Sequence, residues 1–110
     1  MKVAIVGSRN LTNLELARYV SEEVKEIVSG GAVGVDFLAA EYAKSKKIKL
    51  TEFLPEYERY GRAAPIVRNQ KIVDYSDEII AFWNGISKGT LSVIKYAQKA
   101  GKPCEIIMCK

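Results

Sequence analysis

The stretch Ile79 to Thr90, IIAFWNGISKGT, limits the fold more than any other part of the chain. It begins with an unbroken apolar run, Ile79 to Trp83, which reads as a strand covered on both faces. Asn84-Gly85 breaks the run, and a loop of small residues follows. Leu91, Ile94 and Ala97 then recur at helical spacing. A strand that passes through a glycine-rich loop into a helix start leaves backbone N–H groups unpaired and aimed at one point, an arrangement that suits an anion. Two further junctions have this character, Gly7-Ser8-Arg9 and Gly30 to Asp36.

Around these junctions the chain alternates. Lys2 to Val6 is the first strand. Thr12 stands three residues before Glu15 as a capping box, and Leu14, Ala17, Val20 and Val24 follow as the face of a first helix. Glu26 to Val28 is a brief second strand, closed by Ser29-Gly30-Gly31. A second helix starts near Gly34, carries the stripe Val35, Leu38, Ala39, Tyr42 and Ala43, and ends in Lys44-Ser45-Lys46-Lys47. Cations there suit the negative end of the helix dipole, so the cluster reads as a solvated helix end. Ile48 to Leu54 alternates apolar with polar, as an edge strand does. Pro55 stops it, and Glu56 to Gly61 reads as a loop. Pro65 fits the first turn of a third helix, with Ile66, Ile72 and Val73 facing inward and Asn69 on the same face. Gly101 and Pro103 close the fourth helix, and Cys104 to Met108 is the last strand.

Strand and helix repeated four times before a final strand imply an α/β fold. We expect a single Rossmann-like three-layer αβα domain over residues 1–110, with helices on both faces of a five-stranded parallel sheet. The first and fourth strands are the most apolar and belong in the centre, which gives the order 3-2-1-4-5. The winding then reverses between strands one and four, and open α/β sheets bind ligands at such a reversal, outside the carboxyl ends of the strands.

Bulk properties narrow the function. At 110 residues and 48% apolar, the chain can bury a core and is not a disordered tail. A net charge of +4, without a basic stripe, argues against nucleic acid as the main partner. No run is long enough to span a membrane, and the first residues enter a strand directly, so no membrane association and a cytoplasmic setting are expected. Cys104 and Cys109 lack metal or redox spacing and fit a reducing compartment. The chain has no histidine. That excludes Ser-His and Cys-His nucleophile systems, and no metal site is expected.

Each candidate residue has two readings. Gly7-Ser8-Arg9 is either a tight turn or, with an arginine at the crevice mouth, a phosphate or carboxylate contact. Ser29-Gly30-Gly31-Ala32-Val33-Gly34-Val35-Asp36 lets a ligand approach the backbone closely, but it is neither GxGxxG nor a Walker A loop. Asp36 either complements its helix dipole or serves as a hydrogen-bond acceptor for ribose or as a general base. Arg62 and Arg68 read from composition as exposed helix charge. Asn69, an inward amide, needs a partner. Trp83 packs in the core or stacks on a base.

Four motifs in this order, GSR, SGGAVGVD, RN and AFWNGISKGT, resemble those of the SLOG superfamily, which includes the Lonely Guy phosphoribohydrolases and DNA-processing protein A. The resemblance covers nearly the whole chain. It implies a Rossmann-like domain for nucleotides or nucleotide-derived ligands, no separate cofactor, and self-association. It places Gly7, Ser8, Arg9, Gly30, Gly31, Asp36, Arg68, Asn69, Ser87, Gly89 and Thr90 around the ligand. Ala32, Gly34 and Gly85, in the same glycine-rich loops, and Trp83, as a cover for a base, complete the candidate set. The phosphoribohydrolases carry a PGGxGTxxE motif. Here Gly89-Thr90 match its GT, the glutamate position is Val93, and no Pro-Gly-Gly precedes, which argues against that activity. The leading expectation is therefore a sensor or carrier of a nucleotide derivative. An N-glycosidase or deoxyribosyltransferase-like enzyme using Asp36 as its catalytic carboxylate is the alternative, and single-stranded DNA binding the second.

Overall fold

A computed structural model describes residues 1–109. Five parallel strands form one sheet in the order β3-β2-β1-β4-β5: β1 (Lys2–Gly7), β2 (Glu26–Ser29), β3 (Lys49–Glu52), β4 (Glu78–Trp83) and β5 (Cys104–Met108). The sheet is Rossmann-like, with the expected strand order. Val3 to Val6 and Ile79 to Phe82 are buried on both faces, because β1 and β4 lie side by side in the middle, from Val3 opposite Glu78 to Gly7 opposite Phe82. Apolar side chains on alternate positions feed two cores. Val3, Ile5, Ile80 and Phe82 join α1 (Val35–Ser45) on one face. Ala4, Val6, Ile79 and Ala81 join α3 (Ala64–Tyr75) and α4 (Lys88–Ala100) on the other.

The first predicted helix is absent. Residues 8–25 form turns around one short 3-10 segment, Leu16–Arg18, entered at Glu15 without any side-chain cap. Leu11, Leu16, Val20 and Val24 are nevertheless buried against β1 and α1, whereas Ala17 is exposed. Tertiary burial fixed these anchors at spacings of five and four, which a non-helical chain reaches equally well. The Asn and Thr residues around Leu11 offer little helix propensity to resist this.

Two smaller departures lie after β3. Glu56 to Gly61, expected as a loop, contains a single helical turn, α2 (Tyr57–Tyr60). Ile66, expected inward on α3, is 53% exposed, while Asn69, Ile72 and Val73 are buried. The inward face of α3 begins at Ala64 and continues at spacings of five, three and one, so Ile66 falls outside it. Gly101 caps α4 in the left-handed region at φ 72°. β5 is an open edge with Ile106 and Met108 exposed, and Cys109 lies just beyond it. No helix among the described residues is long and apolar enough to cross a membrane.

Candidate functional site

The loops after β1, β2 and β4 all open at the carboxyl end of the sheet, where the chain reverses direction between β1 and β4. α3 closes the remaining side. Together they surround a crevice of about 280 Å³. Its walls are Gly7 and Arg9 after β1, Gly30, Ala32 and Asp36 after β2, Pro65, Arg68 and Asn69 on α3, and Ser87, Gly89 and Thr90 at the start of α4. Ten of the fifteen residues that the sequence pointed to thus meet in one place. Its apolar floor comes from Val6, Ile72 and Val93.

The other five lie outside this lining. Ser8 is buried and ties two loops together: its Oγ accepts from Asn84 N–H at 3.3 Å, and its own N–H donates to the Phe82 carbonyl at 3.1 Å. Gly31 and Gly34 line an adjoining hollow. Gly85 turns at φ 83° beside Met108. Trp83 packs against the α3–α4 core, and its indole N–H donates to the Ser87 carbonyl at 3.0 Å. The indole N–H therefore holds the loop in place.

The start of α4 is built by short-range hydrogen bonds. Asn84 Oδ1 accepts from Ile86 N–H at 2.9 Å and Ser87 N–H at 2.8 Å, a turn that asparagine side chains favour. Ser87 then caps the helix, its Oγ accepting from Thr90 N–H at 3.3 Å. The amides of Lys88 and Gly89 make no hydrogen bond among the described residues. These are the unpaired donors of a helix N-terminus, and Gly89 faces the crevice.

Across from them sits a charged group. Arg68 reaches over from α3: Nη1 donates to the Gly30 carbonyl at 2.9 Å, and Nε donates to Asn69 Oδ1 at 2.9 Å. That gives the inward asparagine its partner. Gly30 is what admits the guanidinium, since a Cβ there would lie 2.6 Å from Arg68 Nη1. Asp36 is 8% exposed, and its Oδ2 accepts from Ala32 N–H at 3.1 Å. Burial pushes its carboxyl above the usual range. The Ala32 amide and the Arg68 guanidinium oppose this, Glu52 adds to it, and the Gly30 amide opposes it again. Arg9 is exposed at the mouth, and both ion pairs among the described residues, Lys49–Glu26 and Lys71–Glu56, lie elsewhere.

Five contributors were not among the candidate residues: Val6, Pro65, Ile72 and Val93 in the lining, and Glu52 beside it. Val6 was legible in its strand and Ile72 on the inward face of its helix, but nothing local marked them, or Val93, as a floor. Val93 is buried, at 3% exposure. Glu52 acts on Asp36 from the end of β3, a pairing set only by the β2–β3 register, in which Ser29 faces Glu52. Burial also raises both cysteine thiols, so neither is an activated nucleophile.

The fold and the crevice define a Rossmann-like α/β domain with its polar opening at the topological switch point. The family model of DNA recombination-mediator protein A matches residues 1–56, from the start of β1 to just past β3, and the chain belongs to that family. This agrees with the SLOG resemblance seen in its loops. No curated protein matches the chain.

Proposed function

We propose that the protein binds a nucleotide or nucleotide-derived ligand in this crevice, as a sensor or carrier. The observation that carries the reading is the convergence of Arg9, Arg68 and the unpaired Gly89 amide at the start of α4 on one opening that also holds the buried Asp36. Two cations and helix-end donors suit a phosphate. A carboxylate below them suits a ribose hydroxyl. No separate cofactor enters this reading. The test is thermal: nucleoside mono- and diphosphates and ADP-ribose-like compounds should raise the melting temperature, and Arg9→Ala should abolish the rise. A broad panel without any shift refutes it.

A second reading makes Asp36 catalytic, in an N-glycosidase or deoxyribosyltransferase-like reaction. Its support is the raised affinity of that carboxyl for a proton inside the crevice. Free base released from nucleoside monophosphates, and lost in Asp36→Asn, would establish it. The family's description names DNA, which supports single-stranded DNA binding as a third reading; a salt-sensitive mobility shift with oligonucleotides is its test.

A further inference from the structure

We propose that the hollow beside the crevice, walled by Val33 and Phe37, is the subsite for the base of the ligand. The proposal rests on the nucleotide reading above. The hollow measures about 620 Å³ and is lined by Arg9, Gly31, Ala32, Val33, Gly34 and Phe37. Arg9 and Ala32 also line the crevice, so the two spaces border the same side chains. A phosphorylated sugar held by Arg9 therefore has a neighbouring space for the group it carries.

The chemistry of the two spaces differs in the way such a ligand requires. The crevice holds Asp36 and Arg68, whereas the hollow has no carboxylate in its lining. Its walls are apolar and open, with Val33 63% and Phe37 58% exposed. Phe37 is the one aromatic ring in the lining of either space among the described residues. It stands next to Asp36 in the first turn of α1. Planar bases stack on such rings, and the contact tolerates different bases because each presents a π-face. Trp83, the other aromatic residue near these loops, is held by its bond to Ser87.

Glycine keeps the floor low. At Gly34, φ is 74° and a Cβ would lie 2.3 Å from the Arg9 carbonyl oxygen; at Gly31, φ is 70° and a Cβ would strike Leu54 Cδ2 at 2.6 Å. A side chain is barred at Gly34 by the Arg9 backbone and disfavoured at Gly31 by its left-handed φ, which keeps the hollow open from below.

The experiment compares ribose 5-phosphate with adenosine, guanosine and uridine monophosphates by titration calorimetry, on the full chain and on Phe37→Ala and Phe37→Trp. The ring is exposed, and melting curves establish that both variants fold. The nucleotides should bind the unaltered chain at least tenfold more tightly than ribose 5-phosphate. Phe37→Ala should lose that margin with ribose 5-phosphate binding unchanged. Phe37→Trp should keep it and show quenched indole emission. Equal affinities in the unaltered chain, or a margin that survives in Phe37→Ala, would overturn the subsite and leave the crevice reading intact. If neither the sugar phosphate nor the nucleotides bind, both fall. If Phe37→Ala instead lowers self-association in light scattering and leaves the margin, the patch is an interface between copies and the proposal fails.

Discussion

The glycines of this chain differ in what holds them in place. Gly7 cannot carry a side chain, because a Cβ would lie 2.5 Å from Val35 Cγ2 and 2.7 Å from the Phe82 carbonyl oxygen. Gly89 has no such constraint: a methyl group there meets nothing within 4 Å, and the residue lies inside a helix. A glycine in that setting weakens the helix, so Gly89→Ala should stabilise the free protein by about 0.5 kcal/mol. The same methyl would occupy space beside the unpaired amides that a phosphate needs. Urea denaturation and ligand-induced melting shifts should therefore move in opposite directions for this variant. Asp36 allows a second separation of stability from function. Its folded pKa is raised, so it favours the folded state while protonated, and that advantage is withdrawn as pH rises through the folded value. Asp36→Asn keeps an acceptor for the Ala32 amide and removes the buried charge. It should melt above the unaltered chain at pH 7, with the gap closing as pH falls toward the ordinary aspartate value of about 3.9. A lower melting temperature at pH 7 would show that the Arg68 interaction outweighs desolvation.

Among the elements, the β4–α4 junction carries most of the site's construction. Asn84, Ser87 and Trp83 hydrogen-bond to one another's backbone or to neighbouring groups within a few residues, and Ser8 fastens the assembly to the β1 loop. Removing the cap with Ser87→Ala should lower stability by about 1 kcal/mol, read from chemical denaturation. It should also weaken ligand binding, since the donors at the start of α4 lose their support. The segment between β1 and β2 behaves differently. It covers its face of the sheet through four buried anchors and one short helical turn. Its sequence held the right apolar residues, and spacing alone could not separate a helix from a chain laid across the sheet. β4 and α4 were legible because their pattern and their burial agree.

On the scale of the whole molecule, the two ends of the sheet are built for different work. The crevice occupies the carboxyl ends. Toward the other end, Glu26 at the start of β2 accepts from the hydroxyls of Tyr75 on α3 and Thr51 on β3, and it pairs with Lys49 at 3.8 Å. The Tyr75 and then the Thr51 hydrogen bond hold its carboxyl below the usual range, against desolvation, with Lys49 and Lys2 assisting. A depressed carboxylate contributes stability that is present above its unfolded value, about 4.3, and is lost as pH falls through the folded one. Melting temperature should accordingly decline on acidification below about pH 4.3, and less steeply in Tyr75→Phe. Because Tyr75 lies away from the crevice lining, that variant should retain the full ligand-induced shift. A Tyr75→Phe protein that has lost it would couple the two ends of the sheet.

The sequence by itself determined the strand order and the position of the opening. Two wholly apolar strands must be central, short βα connections force parallel pairing, and the reversal between them follows from those two facts. It also named most residues that meet at the crevice, because glycines and Arg9 stand just past strand ends and Asn69 is an amide on the inward face of a helix. Only the tertiary structure decided which glycines pack and which stay open, that Trp83 is committed to its own loop, and that Glu52, Phe37 and the floor of Val6, Ile72 and Val93 belong beside the opening. Those outcomes depend on side chains far apart in the chain competing for the same space, and no local pattern encodes that competition.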